Sequence, residues 1–126
     1  MLYAILCYNT EEIVTGWTQA EDDAVMASLD KVHQKLMDEG RFGPAIRLMP
    51  TTAATSLRRE EGLVLDGPFV ETKEQLLGFY IVDCKDLEEA LDTARQLTKA
   101  NPASGGGYEV RPLRLFLPGV PGIGAS

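Results

Sequence analysis

Two stretches of the chain are apolar on both of their alternating faces. Residues 2–8 place Leu2, Ala4 and Leu6 on one side and Tyr3, Ile5 and Cys7 on the other. Residues 77–84 repeat the pattern, with Leu77, Phe79 and Ile81 opposite Tyr80, Val82 and Cys84. A strand with one wet face alternates apolar and polar residues, so both stretches predict strands covered on two sides. Between them, Val25, Leu29, Val32 and Leu36 follow helical spacing over about residues 20–39, with Glu21, Asp22 and Asp23 in the first turn and Gly40 as the stop. A second helix opens at Asp86, with Glu89 three residues on, and carries the stripe Leu87, Ala90, Leu91, Ala94 and Leu97 up to Asn101-Pro102.

The remaining segments are shorter. Residues 9–20 form a polar connection holding Trp17. A strand is expected near residues 45–49, ended by Pro50, which cannot donate to a ladder. Residues 55–67 predict a hairpin around Glu60-Glu61-Gly62, with the glycine in the left-handed position. Thr72 and Gln75 have capping-box spacing and suggest one helical turn over 72–76. Gly105-Gly106-Gly107 predicts a flexible loop, and residues 108–116 a last strand. The order is βαββαβ with an inserted hairpin, a ferredoxin-like α+β plan. A single domain over residues 1–117 is expected, followed by a Gly/Pro-rich tail over 118–126. Both helices of that plan lie on one sheet face. The apolar second face then needs a cover, and a second copy packed sheet to sheet makes a homodimeric α+β barrel.

Composition narrows the partners. A length of 126 residues with 44% hydrophobic and 25% charged residues suits one folded domain. The net charge of -7 opposes binding to nucleic acid or to anionic lipid, and no apolar run is long enough to span a bilayer. No basic region precedes the first apolar stretch and no cleavage site follows it, so the expected compartment is cytoplasmic. Cys7 and Cys84 predict two buried thiols rather than a disulfide framework or zinc site. With one histidine and no ligand spacing, neither a metal nor another cofactor is expected.

Candidate chemistry gathers in 65-LDGPFVETKEQLLGFYIVD-83. Asp66 has two readings: an Asx-type turn bonded to following backbone, or a carboxylate at a pocket mouth acting as base or anchor. Gly67 and Pro68 shape the bend, and Phe69 is expected to plug apolar space at the barrel edge. Glu71 is a second candidate for proton transfer. Lys73 and Arg111 are candidates for holding an anionic substrate, with Asp66 or Glu71 as the expected partner of Arg111. Tyr80 is a candidate hydroxyl for a pocket. His33 lies off the centre of the first helix's stripe, either a boundary residue or an acid–base group at a pocket edge.

The string 66-DGPFVETKE-74, with 78-GFYIVD-83, 87-LEEALDTA-94 and 109-EVRP-112, resembles the DGPF-motif branch of the YCII-related family. The resemblance implies a dimeric α+β barrel of ferredoxin-like protomers. It also implies genes neighbouring extracytoplasmic-function sigma factors, and distant relatives that degrade chlorinated aromatic compounds. Other members carry an acid–base pair of a His in the first helix and an Asp before a Pro after the second. Those positions fall here on Leu29 and on Asn101-Pro102, neither of which moves protons, so the resemblance does not carry that pair over. Two functions follow. One is a cofactor-independent isomerase, lyase or dehydrohalogenase working through Asp66 or Glu71. The other is a ligand-binding or regulatory module associated with a sigma factor. A third reading makes the turn structural: it seals the dimer edge, with the ligand site elsewhere or absent.

Overall fold

The computed structural model describes residues 1–101 and 105–124. Six strands and three helices run in the order β1 (Leu2–Asn9), α1 (Glu11–Thr15), α2 (Gln19–Asp38), β2 (Phe42–Arg47), β3 (Thr55–Arg58), β4 (Leu63–Asp66), β5 (Gln75–Asp83), α3 (Leu87–Ala100) and β6 (Gly107–Pro112). The main sheet is antiparallel in the order β2-β5-β1-β6, and β3 and β4 form a separate hairpin. This is the expected ferredoxin-like order, with the two doubly apolar strands side by side at its centre.

Strand register assigns the faces. Tyr3 pairs with Val82 and Ile5 with Tyr80, so these side chains share the face that packs under α2 and α3. Ile5, Val82, Leu36, Leu97 and Cys84 are the buried centre of this layer, with Leu29, Ala90 and Ala94 beside them. The opposite face carries Leu2, Ala4 and Leu6 from β1, Phe79 and Ile81 from β5, and Ile46 from β2.

Local rules hold at the helix ends. Thr18 accepts from the Glu21 amide (3.1 Å) while the Glu21 carboxylate accepts from the Thr18 amide (3.2 Å), a reciprocal cap that starts α2. Asp86 caps α3 by accepting from the Glu89 amide at 2.9 Å. Gly62 takes the left-handed conformation in the hairpin turn, φ 61°.

Several expectations are corrected. Residues 72–76 form no helical turn. The Thr72 hydroxyl donates to the Glu74 carbonyl instead of accepting an amide, and Gln75 enters β5 while its side chain donates to the Thr72 carbonyl at 2.7 Å. The connection 9–20 contains α1, five residues too short and polar to show a periodicity. Strand β2 begins earlier than expected, at Phe42, with a bulge before Ala45 where Pro44 has no amide to give. Strand β6 stops at Pro112 because its partner runs out, the Leu113 amide reaching the Leu2 carbonyl at 3.0 Å. Pro102, expected to end α3, lies outside the described residues, as do Ala125 and Ser126 of the tail. Arg41 was not singled out in the sequence. Its guanidinium ties β2 to α3, donating to the Thr93 hydroxyl (2.6 Å), Cys84 sulfur (3.3 Å) and Asp83 carbonyl (3.0 Å).

Candidate functional site

A cavity of about 710 Å³ opens between α2 and the sheet. Its walls follow from element geometry. One side of α2 presents Val25, Met26, Leu29, Asp30 and His33, spaced three and four apart. The sheet supplies Cys7 from β1, Phe42 and Ala45 from β2, Gly78 and Tyr80 from β5, and Tyr108 from β6. Helix α1 and Trp17 form one rim with Glu11, Val14 and Thr15, and residues Leu48, Met49 and Pro50 form another. A bulge in the β1–β5 register adds Leu77, which lies on the wall.

His33 is the polar centre of this cavity. Its side chain is only 13% exposed, and Nε2 lies 3.0 Å from the Tyr80 hydroxyl. The other ring nitrogen, Nδ1, faces the Asp30 carboxylate at 3.5 Å, one helical turn back. Phe42 stacks on the imidazole at 5.0 Å between centroids, and the Tyr80 ring stands 5.3 Å away. The imidazole is thus fixed on both edges and one face, as an acid–base group must be.

The surrounding floor is neutral. Burial, with smaller effects from Cys7, Tyr108 and Asp30, raises Tyr80 above the ordinary phenol value. Burial likewise pushes the Cys7 thiol up to about 12 and Tyr108 to about 12. A stability consequence follows with a definite sign. The folded chain holds these protons more tightly than the unfolded chain, whose thiol and phenols titrate near 9.0 and 10.0. Their contribution is fully present below about pH 9 and is lost as pH rises towards 12. Urea midpoints measured from pH 7 upward are expected to fall above about pH 9, and Cys7→Ala to remove the earliest part of the fall.

At the rim, Glu11 is oriented by Thr51, whose amide (2.8 Å) and hydroxyl (3.0 Å) donate to its two oxygens. Arg47 faces Asp22 of α2 with both terminal nitrogens, at 2.8 and 3.4 Å. That guanidinium holds the Asp22 carboxyl below its ordinary range, through the hydrogen bond first.

The residues singled out in the sequence divide sharply. His33 and Tyr80, 47 positions apart, meet in the cavity. Asp66, Glu71, Lys73 and Arg111 are all exposed and none lines it. Among the described residues the Asp66 carboxylate has no hydrogen-bond partner, so the expected Asx turn is not formed. The bend is held instead by the Gly67 amide on the Ala54 carbonyl (2.7 Å) and the Ser56 hydroxyl on the Gly67 carbonyl (2.8 Å). Gly67 is left-handed there (φ 103°), and Pro68 follows it half-buried. Phe69 does not plug the protomer. It is 61% exposed and lies 5.0 Å beneath the Arg58 guanidinium. Arg111 pairs with Glu109, its neighbour along the same strand edge, and with neither Asp66 nor Glu71. Asp30, Glu11 and Arg47 were not singled out. Asp30 alone had a local signal, one turn before the only histidine.

Leu29 and Asn101, where the resemblance places the relatives' acid–base pair, both line this same cavity. His33 stands one turn further along α2 from Leu29. Among the described residues no cluster of His, Cys, Asp and Glu has metal-binding geometry, and no helix is long and apolar enough to cross a membrane. The family model for the YCII-related domain matches residues 1–117. An uncharacterized protein of Rhizobium meliloti (strain 1021) is 56% identical over 121 residues, spanning 94% of this chain and 97% of that one.

Proposed function

Since the chain belongs to the YCII-related family, we propose that it is a small cofactor-independent enzyme of the isomerase, lyase or dehydrohalogenase kind, working through His33 and Tyr80. The observation that carries this reading is the 3.0 Å contact between His33 Nε2 and the Tyr80 hydroxyl on the wall of an apolar cavity. With both ring nitrogens protonated, Nδ1–H towards Asp30 and Nε2–H towards the Tyr80 oxygen, His33 donates to Tyr80 and leaves the phenolic proton for a substrate oxygen. As a proton on the carbon beside the carbonyl leaves to solvent water and charge grows on that oxygen, Tyr80 passes its proton across and takes the one from His33 Nε2; the reverse path returns a solvent proton to carbon and restores the pair. Asp30 faces Nδ1, so the neutral imidazole left after the exchange keeps its remaining proton on the nitrogen that points at the carboxylate. Deuterium uptake by small cyclic ketones and lactones, followed by NMR, tests this. Uptake above the buffer rate supports the reading. Cavity occupancy without uptake or product across the panel supports a binding module instead.

We also propose that the chain works as a homodimer. The sheet face away from the helices carries Leu2, Leu6, Phe79 and Ile46. The hairpin exposes Leu57, Leu63, Val64 and Leu65. A two-stranded hairpin is marginal by itself in water, and a stable interface needs only about 800 Å² from each partner. Sedimentation at micromolar concentration is expected to return twice the chain mass, and a monomer contradicts it.

A further inference from the structure

We infer that the ligand of this cavity is a neutral, ring-sized organic molecule with a single hydrogen-bonding oxygen, and not an organic anion. This deepens the reading of the cavity as the working site and rests on it.

Among the described residues, Arg47 is the one arginine or lysine lining the cavity. Its two terminal nitrogens are already turned to Asp22, so its end-on edge is occupied and its charge is matched by a carboxylate before any ligand arrives. The lining carboxylates, Glu11 and Asp30, add negative charge at the rim. Glu11 is held in place by Thr51, and Asp30 is placed to match any proton that His33 gains. Lys73 and Arg111, the cations expected to hold an anion, lie outside the cavity, and Arg111 is engaged by Glu109. An anion entering here leaves water for an apolar space with no uncommitted cation, which is costly. The chain's net charge of -7 further disfavours its approach.

The shape and polarity of the floor complete the picture. Val25, Leu29, Phe42 and Leu77 offer apolar contact. The rings of His33, Phe42 and Tyr80 lie within 6.3 Å of one another, a corner suited to a planar or saturated ring. Within that corner the polar feature is the His33–Tyr80 pair. A ketone, lactone or phenol oxygen meets it while the ring stays on the apolar wall. Phenolic and thiol protons at Tyr108 and Cys7 stay in place at neutral pH, so the floor supplies no compensating charge of either sign.

The test uses matched probes on the whole chain at pH 7.5: phenol and benzoate, cyclohexanone and cyclohexanecarboxylate, 2-naphthol and 2-naphthoate. Affinities come from NMR titration of the cavity resonances. The neutral member of each pair is expected to bind at least about tenfold tighter than its anion. Asp22→Asn, which releases Arg47, is expected to close most of that gap by raising anion affinity. Equal or tighter anion binding at the cavity overturns the inference while leaving the cavity reading intact. A gap unchanged by Asp22→Asn overturns the assignment of the preference to the committed guanidinium. Absence of any shift at His33 or Tyr80 with all six probes overturns the cavity reading, and the inference falls with it.

Discussion

Tyr80→Phe is expected to lower turnover by about 10²–10⁴ while leaving the fold nearly unchanged and weakening ligand binding only by the one lost hydrogen bond, about 0.5–1.5 kcal/mol. The phenylalanine ring keeps the packing against His33 and Phe42 and removes only the hydroxyl that His33 Nε2 faces at 3.0 Å. His33→Gln is expected to give a loss of the same order, because an amide fills similar space but holds no titrating proton. The double variant is expected to be little worse than either single one, since both remove the same relay. Equal losses from Asp66→Asn and Glu71→Gln would move the chemistry to the exposed turn. The assay is deuterium uptake or product formation on whichever substrate of the panel is turned over. Circular dichroism and thermal unfolding confirm that each variant is folded.

Gly78→Ala is expected to destabilise the protein by about 2–4 kcal/mol, a large effect for a one-carbon change. Gly78 is buried in β5, and its neighbour β2 passes unusually close. A Cβ added there would stand 2.3 Å from the Ile46 carbonyl oxygen and 3.2 Å from the Arg47 Cα. Both are backbone atoms of a paired strand, so relief requires β2 to move as a unit. Phe42 and Ala45 of the cavity wall would move with it, as would the Arg47–Asp22 pair that ties β2 to α2. Ligand affinity should therefore fall together with stability. Gly107→Ala is the control: nothing lies within 4 Å of its added Cβ and its backbone is extended, so a change of well under 1 kcal/mol is expected. Urea unfolding of both variants beside the parent protein measures the contrast.

The history of these side chains in the sequence explains what was legible. Strands β1 and β5 announced themselves because both alternating faces are apolar, and that same alternation placed Tyr80 with Val82 and Cys84 on one side. Helices α2 and α3 were equally plain from their apolar stripes, and the Asp86 cap of α3 and the Gly62 turn of the β3–β4 hairpin use local chemistry that needs no distant partner. The site was harder. The charged run from Glu71 to Glu74 is conspicuous in one dimension, yet in space it is a solvated loop. The His33–Tyr80 pair is inconspicuous in one dimension because its members are 47 positions apart, and only the packing of α2 over β5 brings them together. Two local clues did point that way: the offset of His33 from the centre of its helical stripe, and the inward register of Tyr80. Combining them requires knowing which helix crosses which strand, and no single segment carries that information. The commitment of Arg47 to Asp22 was out of reach for the same reason, the two lying 25 positions apart.

The central claim is that the cavity under α2, and not the turn at Asp66, is where the molecule works. His33 is the chain's only histidine, so its imidazole gives a single, self-assigned set of nitrogen and ring-proton signals. The most direct measurement follows those signals by ¹⁵N-correlated NMR as cyclic ketones, lactones and phenols are added. Movement of the imidazole signals with ligand, altered by Tyr80→Phe and indifferent to Asp66→Asn, is the predicted result. Imidazole signals that stay fixed while the backbone amides of Asp66 to Glu74 shift would contradict it.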